Sequence, residues 1–179
     1  MSTECRRDNF FPDPDDPGLS RFTSRGYNVA TAYINDEPFG NNGSNYPLLQ
    51  KDSSGSVIDT LKFAWPLYPN DFVNHSPVYQ NIAFLLPISS SFSKNDLLAF
   101  NGKKIPNSIS IVIQEIQDSS LKAISGNANL YFVSVNEDLS YSPQKYIRLS
   151  GLFDGNIGDT VLITKGRFDF EVNENDLNF

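Results

Sequence analysis

One cysteine, one histidine, one tryptophan and one methionine are spread over 179 residues. A single thiol excludes an intrachain disulfide, so stability must come from the core. An ordinary structural zinc site needs four nitrogen or sulfur ligands, which Cys5 and His75 cannot furnish. Basic residues are scarce, with 14 Lys and Arg against 21 Asp and Glu for a formal charge of -7. Affinity for phosphate backbones comes from clustered cations, so nucleic acid is not an expected partner. No apolar run approaches the roughly 18 residues of a membrane-spanning helix. His75 lacks a G-x-S-x-G elbow to pair with, so it is read as a loop histidine near Pro77 and not as a triad base. No cofactor is expected and no catalytic residue is assigned.

Apolar matter is sufficient for folding. Hydrophobic residues make up 39% of the chain and aromatics 13%, with 14 Phe, which points to a Phe-packed interior and a single core. Residues 1–26 are expected to form a flexible N-terminal tether, because "CRRDNFFPDPDDPGLSRFTSRG" is rich in Pro and Asp and poor in aliphatics. A single β domain is expected over 27–172, followed by a C-terminal tail at 173–179.

Period-two patterning dominates the domain. "YNVATAYINDEPF" reads as a hairpin turning at Asn35-Asp36, two residue types that tolerate positive φ. Residues 40–56 read as loop. Strand signals recur at 57–64, 78–86, 109–116, 128–135, 145–153 and 160–172. In the last of these, Phe168, Phe170 and Val172 face one way and Arg167, Asp169 and Glu171 the other, which predicts one wet face. Gly166 marks a bulge there. The apolar run around Ile109, Ile111 and Ile113 suits a mid-sheet strand. Ser93, Asp96 and Gly102 mark the start, third position and end of one short helix. The fold is therefore all-β, as a two-sheet antiparallel β-sandwich or a distorted barrel with one short helix.

Candidate sites are few. Residues 62–79 read as an aromatic, Pro-containing loop in which Phe63 and Trp65 plug one end of the core. That leaves Tyr68, Phe72 and Tyr79 as exposed rings able to stack on a glycan or anchor a protein. Oxygen-rich stretches at Asp13, Asp15 and Asp16 and at Asp154, Asn156 and Asp159 are weak calcium candidates, neither matching the twelve-residue calcium loop; the second reads as a plain turn. With 21 acids present, a carboxylate-dependent hydrolase acting on a polysaccharide stands as the alternative to a binding module.

Three features coincide with a known group. Ala32, Ile34, Asn35, Asp36 and Phe39 fit an A-x-[IV]-N-[GD]-x-x-[WF] opening hairpin. Ser150, Gly151, Phe153, Gly158, Val161, Ile163, Thr164, Gly166, Arg167, Phe168 and Asp169 fit a closing S-G-x-F…G-x-x-V-x-[IL]-T-x-G-R-F-D segment. With Cys5 ahead of a polar leader, the chain resembles uncharacterised Bacteroidota-type envelope lipoproteins. The resemblance implies that Cys5 is the lipid attachment site and that "RRDNF" is an export tag. It also implies that a removed signal peptide lies upstream. Glu4 stands where such a lipid-attachment motif has a small residue. A lipid anchor on Cys5 would make a membrane the partner, with the domain at the cell envelope, an outer-membrane lipoprotein facing the periplasm or the surface. The expected role is a binding or structural module for a glycan or protein ligand.

Overall fold

The structure is a computed structural model describing residues 13–42, 47–52, 58–69, 80–117, 120–139, 145–158 and 160–177. Nine strands follow in chain order: β1 (Val29–Ile34), β2 (Glu37–Asn42), β3 (Leu48–Asp52), β4 (Ile58–Pro69), β5 (Gln80–Ser89), β6 (Lys104–Gln117), β7 (Ser120–Asp138), β8 (Tyr146–Ile157) and β9 (Val161–Asn173). A short helix, α1 (Lys94–Leu98), lies between β5 and β6. The chain is all-β, and its strands form one antiparallel sheet in the order β2-β1-β9-β8-β7-β6-β5-β4-β3. β2 also pairs with β4, Phe39 opposite Pro69 and Gly40 opposite Tyr68, so the sheet curls back on itself. Of the two architectures expected, this is the distorted, partly closed barrel.

The barrel exists because one phase of each strand is apolar. Phe63 and Trp65 from β4, Phe84 from β5, Phe132 from β7, Phe153 from β8 and Phe168 and Phe170 from β9 are all buried in one cluster. Trp65 stacks on Phe84 with ring centroids 5.2 Å apart, and Phe63 meets Phe168 edge-on at 5.2 Å. Each such side chain contributes about 1.5–3 kcal/mol by leaving water. Phe63 and Trp65 thus sit at the centre of the core, and residues 65–69, expected as loop beyond the strand signal at 57–64, continue β4. Pro66 is tolerated there because the pairing with β3 ends at Ala64 and the pairing with β2 begins at Tyr68.

Local signals place the turns. Asn35 and Asp36 both adopt positive φ, 51° and 64°, and join β1 to β2 as expected. Ser93 precedes α1, and its N–H and hydroxyl both donate to the Asp96 carboxylate at 2.9 and 2.7 Å. Gly102, at φ 69°, follows the helix. Phe100 then stacks on Phe132, centroids 5.3 Å apart, and ties the helix to β7.

The bulge in β9 differs in detail from its expectation. Thr31 faces Arg167 and Tyr33 faces Thr164, so β9 carries one residue more than β1 across this interval. Lys165, at φ 50°, takes the left-handed conformation, while Gly166 serves a close approach instead. The calcium candidate "DGNIGD" is not the plain turn its composition predicts: β8 runs on through Asp154 and Asn156 to Ile157, and the turn begins at Gly158. At the C-terminus, residues 174–176 form a single 3-10 turn, whose Glu174 N–H donates to the Lys145 carbonyl at 2.9 Å.

Residues 13–26 are irregular, as their composition predicts, but they do not hang free. They cross the outer face of β1 and β9 as a strap. Leu19 and Ser20 are buried, and the Ser20 N–H donates to Thr31 Oγ1 at 3.2 Å. The Tyr33 hydroxyl donates to the Pro17 carbonyl at 2.8 Å. Arg167 and Asp169, assigned to a wet face by alternation, are consequently buried at 8% and 4% exposure. Charges on that face gave the acidic segment something to bind, which composition alone does not disclose.

Candidate functional site

Strand alternation puts every second residue of β7 and β8 on the outside of the barrel. In register across four strands stand Lys104 of β6, Tyr131 of β7, Leu152 of β8 and Arg167 of β9. Asn129 and Asp154 form the next outward pair, with Asn129 Nδ2 donating to Asp154 Oδ1 at 2.6 Å. Tyr131 and Leu152 are 37% and 42% exposed, and they are the one cross-strand pair among the exposed large hydrophobic residues described. Together with Lys165 and Gly166 these residues line an open depression of about 430 Å³.

One rim of the depression is electrostatically occupied. Arg167 Nη1 donates to Asp13 Oδ2 at 2.6 Å and to the Ser20 carbonyl at 3.1 Å, and Nη2 donates to Asp16 Oδ2. Lys165 Nζ pairs with the other Asp16 oxygen and lies 5.9 Å from the centre of the Tyr33 ring. The Asp15 N–H, followed by Arg167, holds the Asp13 carboxyl below its ordinary value. Lys165, followed by Arg167, does the same to Asp16, and Asp16 in turn raises Lys165. Further along the strap, the Asp169 carboxylate accepts the Gly26 N–H at 2.7 Å, the Arg25 N–H at 3.0 Å and the Thr23 hydroxyl. Lys104, on the far rim, has no ion-pair partner among the described residues.

A second cavity, a slot of about 370 Å³, opens between β3 and the end of β9. Leu48 and Leu49 form one wall, and Tyr146, Glu171 and Asn173 belong to the other. The Glu171 carboxylate accepts from Arg148 Nε at 3.2 Å, and its N–H donates to Asn28 Oδ1 at 2.9 Å.

Of the residues singled out from sequence, Tyr68 is half-buried on β4, beside β2. Asp154 and Asn156 point outward from β8, opposite Asn129 and Asn127. Asp13 and Asp16 serve Arg167. Cys5, Phe72, His75, Tyr79 and Asp159 lie outside the described residues. No three His, Cys, Asp or Glu side chains among the described residues gather as a metal-holding group. No helix among them is long and apolar enough to cross a membrane. Tyr131 and Leu152 are not among the residues that the sequence singles out, although the pattern carries their signal: both hold the outward phase of strands whose inward phase is Leu130, Phe132 and Phe153. No protein family, curated protein or solved structure matches the chain.

Proposed function

We propose that the protein is a non-catalytic binding module that holds a glycan on the outer face of β6 to β9. The observation that carries this reading is the exposed Tyr131 ring, set beside Leu152 in an open depression edged by Lys104, Asn129 and Asp154. A flat aromatic surface packs against the apolar face of a sugar ring, and amide, carboxylate and ammonium groups at its edge match the hydroxyls. An open depression suits one stretch of a chain better than an enclosed small molecule. The resemblance carried by the opening and closing hairpins supports a place at the cell envelope through a lipid on Cys5. The strap would then lead from the anchor to the site.

Titration calorimetry with neutral and acidic oligosaccharides tests the reading. Binding is expected, and Tyr131→Ala should weaken it by about tenfold or more, the scale of a lost aromatic anchor. Failure of a folded protein to bind any glycan on an array overturns it. Turnover of a polysaccharide that Glu171→Gln abolishes would replace it with a hydrolase working from the slot. Labelling by a fatty-acid analogue in the native host, lost in Cys5→Ser, checks the anchor.

A further inference from the structure

We infer that the glycan held on this face is anionic, a carboxylate-bearing polysaccharide, and that the strap's own aspartates compete with it for the same cations. The inference rests on the glycan reading and adds its ligand class and its regulation.

Three cations border the depression, Lys104, Lys165 and Arg167, against one acid, Asp154. On a chain whose formal charge is -7, that gathering of cations is balanced only because the strap brings Asp13 and Asp16 to Lys165 and Arg167. Asp154 is engaged by Asn129, at the end of the depression shared with β7. The chemistry that Lys165 and Arg167 take is visible directly, because both hold carboxylates in the structure, those of Asp13 and Asp16. A planar guanidinium forms parallel hydrogen bonds to carboxylates, a geometry an ammonium or a hydroxyl does not offer.

The cross-strand row explains how a sugar would use these groups. Tyr131 and Leu152 lie between Lys104 on one side and Arg167 on the other. Neighbouring strands are about 4.8 Å apart, so the row spans three such steps, on the scale of two to three sugar residues. A uronate residue stacked on Tyr131 places its carboxylate toward Lys104, which makes no ion pair with a described residue. The next uronate reaches Lys165 and Arg167 only by displacing Asp13 and Asp16. With the strap docked, the two aspartates and Asp154 together cancel the three cations. With the strap released, two positive charges are uncovered.

The test compares oligogalacturonate with a neutral oligosaccharide of equal length on wild type, Asp13→Asn/Asp16→Asn and Lys104→Gln. Unchanged Trp65 fluorescence reports an intact barrel, and Asp16→Asn alone serves as a milder variant that keeps the Asp13 pair. Oligogalacturonate is expected to bind wild type, to weaken as salt is raised, to tighten by about tenfold in the double variant, and to weaken in Lys104→Gln. A double variant that binds no tighter, or a neutral oligosaccharide that binds equally well, overturns the inference while leaving the glycan reading in place. Binding of neither sugar overturns the inference, and the glycan reading falls with it only if the array also shows no bound glycan. An aspartate-rich peptide that outcompetes oligogalacturonate assigns the face to a protein partner and also overturns it.

Discussion

The ring of Phe153 lies over Gly166, its cross-strand neighbour, so closely that a β-carbon on the glycine would stand 2.5 Å from two ring atoms. The reciprocal pair is two positions away along both strands, where Phe168 covers Gly151 and comes within 2.5 Å of the corresponding point. Between them the two pairs let β8 and β9 place two phenyl rings inside the barrel without widening it.

Gly166→Ala is therefore expected to destabilise the fold by about 1–3 kcal/mol, the usual cost of overpacking. The Phe153 ring has nowhere to go, with Trp65 and Phe84 at centroid distances of 5.5 and 5.4 Å. Urea denaturation of the variant measures this; an unchanged midpoint would show that the ring moves freely.

Trp65 is 2% exposed, and its indole Nε1 has no hydrogen-bond partner among the described residues. A buried donor left unpaired costs about 1–3 kcal/mol. Trp65→Phe removes that cost together with some packing area, so the two offset and the net change should stay within about 1 kcal/mol. A loss of 3 kcal/mol or more in denaturant unfolding would mean that the N–H has a partner.

Strap docking should depend on pH. Asp13 and Asp16 are lowered from 3.8, so their contribution is complete above that value and disappears as pH falls through the lowered values. Lys165 is raised from 10.5, so its contribution is complete below that value and is lost above it. Hydrogen exchange at the Ser20 amide, which donates to Thr31 Oγ1 and is corrected for intrinsic rates, should show protection at pH 5 that falls by pH 2.5, and Asp16→Asn should weaken it at pH 5. Protection that survives acid unchanged would place the strap's hold elsewhere, on Leu19 and Thr31.

Much of the sheet was legible because its inward phase is uninterrupted. Ile147 and Leu149, or Phe168, Phe170 and Val172, announce strands without help from the rest of the chain. β3 was not legible: Leu48-Leu49 is followed by Gln50, Lys51 and Asp52, and the segment is a strand because β4 offers it an edge from Thr60 to Ala64. Pro66 hid the continuation of β4 for the same reason, since local chemistry reads as turn and the pairing overrides it. The candidate site failed to show for a different reason. Tyr131 and Leu152 are 21 residues apart in the chain, and only the β7–β8 register brings them side by side.

The strap joins the front of the chain to its last strand, with Asp13 and Arg167 separated by 154 positions. On the ribosome the segment is made before β1, yet its binding surface is not complete until β9 emerges, so it must wait while all the described strands are made. Contacts this distant are slow to form. Docking is accordingly the closing event of assembly, and a nascent or truncated chain lacking β9 leaves the acidic leader undocked.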